Sequence, residues 1–292
     1  MQVLDSAGLI PTSARSLPKI ALYQPGNVAE ALDALSRAGN PVVLSGGTDL
    51  VACFNEGLRP GELIDLAHVA ELRTVTTDAR NLRIGAAVTH GAGCSHPLVR
   101  ERAPGFAKAW SRISNPRIRL RATLGGNLMA MRPRYEGSLL LAAGGAQLEF
   151  ATTGGSLTLT PADLWAGRVP ARSLLTAITL DTESLAWYAY ERSMRPLITL
   201  ASCLRRRALG GDSWVLRCAI GTEYLRPAVL ELAWPGTGLA HVARAAKDIA
   251  QQAFAQLPKD FYDPVATRAY CVAAGSVLLA RQLAGLTGAA HV

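Results

Sequence analysis

What limits this chain most is the shortness of its apolar runs and the residues that end them. Pro41-Val42-Val43-Leu44-Ser45 has the length and composition of a strand and runs straight into Gly46-Gly47, where the backbone is free to turn. Asn27-Val28-Ala29-Glu30 upstream carries a helix-start signature, with Asn27 as cap and Glu30 three residues on. Ala31, Leu32, Leu35 and Ala38 then recur at helical spacing, and Gly39 ends the run. Leu63-Ile64-Asp65-Leu66 and Leu82-Arg83-Ile84-Gly85-Ala86 read as further strands. The pattern is α/β with short connections.

From His90 to Arg121 the pattern is helical, punctuated by Pro97, Pro104 and Pro116. A second glycine turn follows at Thr123-Leu124-Gly125-Gly126-Asn127, then a helix from Gly137 to Ala143. Strands are predicted over 147–151 and 156–159, turning at Thr153-Gly154-Gly155, and over 173–180. The last third alternates near 185–192, 197–206 and 214–221, which predicts a small antiparallel sheet. Two helices are expected after it, near 238–256 and 264–285. A boundary is expected near Asp181.

The 292 residues suit two or three subdomains, and 49% hydrophobic against 18% charged residues is a globular balance. No apolar run approaches the roughly 18 to 20 residues of a membrane-spanning helix. The first residues lack a basic start followed by a long apolar stretch, so no secretory signal is read and the expected compartment is the cytoplasm. About the first 18 residues read as an irregular tail. Cys53, Cys94, Cys203, Cys218 and Cys271 contain no CxxC pair, and are expected to be buried free thiols. His68, His90, His96, His241 and His291 show no metal-ligand spacing and read as surface or capping residues. A net charge of +8 raises nucleic-acid binding. No interleaving of arginines with aromatics and no nucleic-acid motif supports it.

Two segments could carry chemistry. In Leu44-Ser45-Gly46-Gly47-Thr48-Asp49-Leu50, glycines after a strand can aim main-chain N–H groups at a phosphate, or form an ordinary turn. In Arg117 through Leu128, a second glycine pair sits beside arginines that favour an anion, or else ends a solvated basic helix. Taken together, two pairs roughly 80 residues apart could close on one pyrophosphate.

At this point the chain resembles the medium, FAD-binding subunit of molybdenum hydroxylases, the group of carbon monoxide dehydrogenase and xanthine dehydrogenase. The resemblance runs from about Leu17 to the C-terminal helix. It rests on Ser45 through Leu50, Leu63 through Leu66, Leu82 through His90 and Ile118 through Asn127, with weaker matches at Tyr190-Glu191-Arg192 and from Gly221 to Arg226-Pro227. It implies an α+β fold. A two-lobed FAD-binding PCMH-type domain over 19–180, with lobes about 19–68 and 69–180, precedes a C-terminal domain over 181–292 with a three-stranded antiparallel sheet and helices. It also implies cofactor contacts at Ser45, Gly46, Gly47, Thr48, Asp49, Leu50, Thr123, Leu124, Gly125, Gly126 and Asn127, at Thr89 nearby, and at Tyr190 and Arg192 from the C-terminal domain.

The implied function is electron transfer in a heteromeric enzyme. A large subunit would carry a molybdenum cofactor and a small iron–sulfur subunit two [2Fe-2S] clusters, in a dimer of heterotrimers. FAD in this chain would link the clusters to an external acceptor, and no catalytic acid or base is expected here. Two departures stand out. Where the family has an Asp-Pro pair and a later aspartate, this chain has Arg132-Pro133 and Glu136. Glu136 can still accept a bond from a ribityl hydroxyl. Arg132 would raise the flavin potential if it lay beside the flavin. Two other readings compete. A self-contained reductase of the UDP-N-acetylenolpyruvoylglucosamine type would need a late glutamate, and none follows Glu231. The other is a flavin-free scaffold that bridges partner subunits.

Overall fold

The computed structural model describes residues 20–37, 39–192, 197–206, 214–234 and 239–288. The expected tail over 1–18, Ala38, Met194-Arg195-Pro196 and His291 lie outside them. Three sheets organise the described residues. The first is a parallel unit: strand β1 (Ala21–Tyr23), helix α1 (Val28–Arg37), β2 (Pro41–Leu44), α2 (Thr48–Asn55) and β3 (Glu62–Asp65), with β3 between β1 and β2. The helix-start signature is realised, since the Glu30 N–H donates to Asn27 Oδ1 at 2.9 Å. Ala31, Ala34 and Leu35 of α1 pack with Ile64, Leu66, Val69 and Leu72.

The second sheet is antiparallel in the order β4-β5-β8-β6-β7. Its strands are β4 (Val75–Thr77), β5 (Asn81–Gly85), β6 (Gln147–Thr152), β7 (Gly155–Leu159) and β8 (Leu174–Asp181). Between β5 and β6 the helical stretch is four short helices, α3 (His90–Ser95), α4 (Pro97–Arg102), α5 (Pro104–Trp110) and α6 (Pro116–Arg119). Each proline opens a helix rather than kinking one, because a first-turn residue needs no intrahelical N–H bond. The second glycine turn is itself the start of α7 (Leu124–Met129), and α8 is Glu136–Gly144. Every α8 residue from Gly137 to Gly144 is buried, so this helix is apolar on all sides and central to the core. A further short helix, α9 (Pro161–Trp165), is capped by the Thr160/Asp163 pair.

The C-terminal sheet has four strands rather than the expected three: β9 (Leu185–Arg192), β10 (Thr199–Arg206), β11 (Trp214–Gly221) and β12 (Ala228–Trp234), paired in sequence order. The fourth was hidden because Pro227 and the single-charge run Ala228-Val229-Leu230-Glu231 show only weak alternation. Both faces of this sheet are covered. Leu200, Leu204, Leu216, Cys218, Ile220 and Leu230 face α10 (Leu239–Arg244), α11 (Ala246–Ala255) and α12 (Arg268–Ala284). Tyr188, Tyr190, Ala201, Cys203 and Ala219 join the main core. Polar tips tie this sheet to the C-terminal half of α8. The Tyr188 hydroxyl donates to Leu140 O at 2.6 Å, Arg217 Nε to Ala142 O at 2.9 Å and Arg205 Nη1 to Gly144 O at 3.1 Å.

All five cysteines are free. Cys203, Cys218 and Cys271 are buried, but Cys53 and Cys94 are partly exposed, against expectation. No described helix is long and apolar enough to cross a membrane.

Candidate cofactor site

A cavity of about 780 Å³ lies where the three sheets approach one another, toward the upper end of the ~300–1,000 Å³ usual for ligand sites. Val42 and Val43 of β2, Leu174 and Leu175 of β8, and Thr199 and Gly221 of the C-terminal sheet all contribute to its wall. The two glycine turns meet on that wall. Ser45 Oγ and Thr123 Oγ1 share a hydrogen bond at 3.0 Å, and a Cβ on Gly46 would run into the Arg121 carbonyl.

The two turns are built differently. The second is satisfied internally: Leu124 N–H donates to Val88 O, Gly125 N–H to Ala86 O and Gly126 N–H to the capping Thr123 Oγ1. Gly125 has no Cβ because one would lie 2.7 Å from the Ala86 carbonyl oxygen. The first turn is open. Its Gly47 takes a left-handed φ of 76° and stands as N-cap of α2, and no side chain caps that helix. The leading N–H groups of α2 therefore lack a side-chain acceptor, and Thr48, Asp49 and Leu50 line the cavity.

Asp49 brings a negative charge to this anion-seeking end, but the charge is neutralised. Arg132 Nε donates to Asp49 Oδ1 at 2.6 Å and the Tyr135 hydroxyl donates to the same oxygen at 2.5 Å. Burial pushes the Asp49 carboxyl up, but these two bonds outweigh it and hold the group below the ordinary carboxylate range. Burial and the bond to Asp49 push Tyr135 up to about 12. Arg132 also donates to Cys53 Sγ at 3.1 Å. Its guanidinium is thus paired behind the cavity wall, with Asp49 and, at 3.4 Å, with Glu56.

Glu136 also lines the cavity, with Arg192 Nη1 at 3.6 Å from its carboxylate. Burial raises the Glu136 carboxyl, opposed by Tyr190 and Arg192. Asn127 joins the two helices at the wall, its Oδ1 accepting from Gly137 N–H at 3.1 Å.

Of the residues singled out from sequence, Ser45, Gly46, Gly47, Thr48, Asp49, Leu50, Thr123, Gly125, Gly126, Asn127, Glu136 and Arg192 come together on this wall. Thr89, Leu124 and Tyr190 stand behind it. Thr89 caps α3 through Ala92 N–H and bridges to Thr123. Leu124 is a core residue. Tyr190 is buried in the main core beneath Arg112, and its hydroxyl lies close enough to Glu136 to lower that carboxyl. The structure adds wall residues that sequence patterns did not mark: Ile113, Ser114, Tyr135, Thr222 and above all His90, which is buried rather than a surface or capping residue. Among the described residues no histidine, cysteine and carboxylate cluster could hold a metal ion.

A cavity walled by two glycine turns and an uncapped helix start, roofed by an antiparallel sheet, defines a binder of an extended, phosphate-bearing ligand. The family described as the FAD binding domain in molybdopterin dehydrogenase matches residues 18–180, more than half of the chain, and the chain belongs to that family. It is similar to the nicotine 6-hydroxylase medium subunit of Paenarthrobacter nicotinovorans, 29% identical over 176 residues. That match covers 59% of this chain and 62% of the relative, less than two thirds of the relative's length. It is also similar to the caffeine dehydrogenase subunit beta of Pseudomonas sp. (strain CBB1), 26% identical over 71% of this chain and 75% of that one. Among solved structures, a chain of quinoline 2-oxidoreductase from Pseudomonas putida 86 superposes with a TM-score of 0.77 at 20% identity. It covers 95% of this chain and 100% of its own. At that identity the likeness speaks to the fold.

Proposed function

We propose that this chain is the FAD-binding, electron-transfer subunit of a heteromeric molybdenum hydroxylase. One observation carries the reading: two glycine turns 78 residues apart are hydrogen-bonded side by side on one cavity wall, and the open one presents an uncapped helix start to the cavity. That arrangement fits a pyrophosphate, because unpaired N–H groups and the helix dipole both favour negative charge there. The Arg132–Asp49 pair removes a carboxylate charge that would otherwise repel it. When bound, FAD supplies both one- and two-electron chemistry, which suits a link between iron–sulfur clusters and an external acceptor.

In this reading Gly46 through Leu50 hold the phosphates. Thr123, Gly125, Gly126 and Asn127 set the position of the first turn, and Glu136 offers an acceptor to a ribityl hydroxyl, steadied by Arg192. Thr89, Leu124 and Tyr190 act from behind as packing. Residues 19–180 form the FAD-binding domain and 181–292 a domain that closes the cavity. The partners are an iron–sulfur small subunit and a molybdenum-cofactor large subunit, arranged as a dimer of heterotrimers in the cytoplasm. The names of the relatives, a medium subunit and a subunit beta among them, support a multi-subunit assembly.

Purification from the native host tests this. The expected product is yellow, contains flavin, molybdenum and iron, and brings two further polypeptides with it. A colourless lone chain that takes up no FAD would overturn it.

A further inference from the structure

The segment Arg132-Pro133-Arg134-Tyr135 is a turn closed by the Tyr135 N–H, which donates to Arg132 O at 2.9 Å. Pro133 sits at its second position, where a fixed φ suits the bend. Both ends of the turn are fastened to α2: Arg132 Nε at 2.6 Å and the Tyr135 hydroxyl at 2.5 Å converge on Asp49 Oδ1. Asp49 is the second residue of α2, so the turn is pinned against the uncapped helix start. Pro133, Arg134 and Tyr135 all line the cavity.

Arg134 lies between the two anchors and is exposed. Its guanidinium stands 5.9 Å over the Tyr135 ring, a cation–π contact that keeps it beside the side chain whose hydroxyl holds Asp49. No carboxylate among the described residues pairs with it. The neighbouring carboxylates of the wall already have arginine partners, Asp49 in Arg132 and Glu136 in Arg192. Glu223 lines the cavity too, but it follows β11, whereas Arg134 belongs to the turn fixed to α2. An arginine stays charged at all ordinary pH and presents a planar fork of N–H donors that matches a phosphate. The wall thus sets an open, unpaired cation beside a helix start that no side chain caps. Both features favour the same kind of ligand group, an anion.

We infer that Arg134 is a ligand-binding residue whose guanidinium pairs with the phosphates of the bound dinucleotide. This rests on the reading of the cavity as an FAD site. The phosphates are the charged groups of FAD at neutral pH, so a cation on this wall finds its opposite charge there. The Arg132–Asp49 pair then serves this site twice, by neutralising a carboxylate and by anchoring the turn that presents Arg134.

The test uses the full-length chain stripped of flavin and titrated with FAD, followed by quenching of flavin fluorescence at low and at raised salt. Arg134→Met keeps much of the side chain's length and removes its charge. It should weaken FAD binding by about tenfold, the scale of one charged hydrogen bond. It should also flatten the fall of affinity with salt, because one screened attraction is gone. Arg134→Lys keeps the charge but not the fork, and should recover part of the affinity and the salt dependence with it. In the wild-type chain, FAD should protect Arg134 from the arginine reagent phenylglyoxal, read by peptide mass mapping. Equal FAD affinities for wild type and Arg134→Met, or a loss that leaves the salt dependence unchanged, overturn the inference while leaving the FAD reading intact. So does modification of Arg134 at the same rate with and without FAD, a result that stands even if the variant does not fold. A wild-type chain that binds no FAD overturns both.

Discussion

Ser45 Oγ stands 3.0 Å from Thr123 Oγ1, and this contact joins two turns 78 positions apart in the chain. Thr123 is already the N-cap of α7, accepting from Gly126 N–H at 3.1 Å. Its hydroxyl therefore couples the geometry of one turn to the start of the other. The glycines beside it make the approach possible: Gly46 lies against the Arg121–Ala122 backbone and Gly125 against Ala86.

Gly46→Ala follows directly. The added methyl meets backbone rather than a flexible side chain, so the turns must separate. Overpacking of this kind costs about 1–3 kcal/mol. We expect a lower urea midpoint together with loss of bound flavin on gel filtration. Retention of flavin at the wild-type ratio would show that the close approach is not needed.

Thr123→Val keeps shape and removes the oxygen. Loss of the cap and of the Ser45 bond should destabilise the chain by about 1 kcal/mol, the usual scale for an N-cap. Thr123→Ser should restore it. Chemical denaturation of the three proteins side by side provides the check, and a Val variant as stable as wild type contradicts the role.

Asp49→Asn preserves volume and removes the charge that Arg132 and Tyr135 hold. Hydrogen bonds to a charged group are worth about 1.5–3 kcal/mol, and that is the expected loss at neutral pH. Because the folded Asp49 titrates below its ordinary 3.8, the stabilisation is complete above that value and fades as pH falls through the lower folded one. The gap between wild type and variant should close as pH falls below 3.8. A gap that persists unchanged in acid would place the effect elsewhere.

His90 titrates at about 4 when folded, against an ordinary 6.5. Between those values the unfolded chain binds a proton that the folded chain refuses. Stability should therefore fall as pH drops from 6.5 to 4, by up to about 1.4 kcal/mol per pH unit. Urea midpoints measured at several pH values, for wild type and His90→Asn, test this. The variant should lose that part of the slope.

Parts of the fold were legible because their chemistry is local. Asn27 and Glu30 mark the start of α1 within four residues, and the prolines at 97, 104 and 116 each mark a helix start. The Gly125-Gly126 turn was legible as a bend but not as the first turn of α7. Glycine is a poor helix former, and this helix is held by bonds to Ala86 and Val88, nearly forty residues earlier. Arg132 read as an inverted charge because its partner Asp49 lies 83 positions away. Tyr190 was placed on the right strand, but the face it occupies depends on the pairing with β10 and on α8 behind it.

The sequence by itself determined most of the longer strands, the start of α1, the two glycine turns and, through the motifs around them, the family. Those are properties of short stretches, where propensity, capping and spacing act over a few residues. Only the tertiary structure decided which turn is open and which is closed, that Arg132 neutralises Asp49, and that His90 is buried against Trp110. Each of these depends on which distant groups are brought together in a dry interior, where an unpaired charge or N–H is costly, and such pairings leave no mark on local sequence.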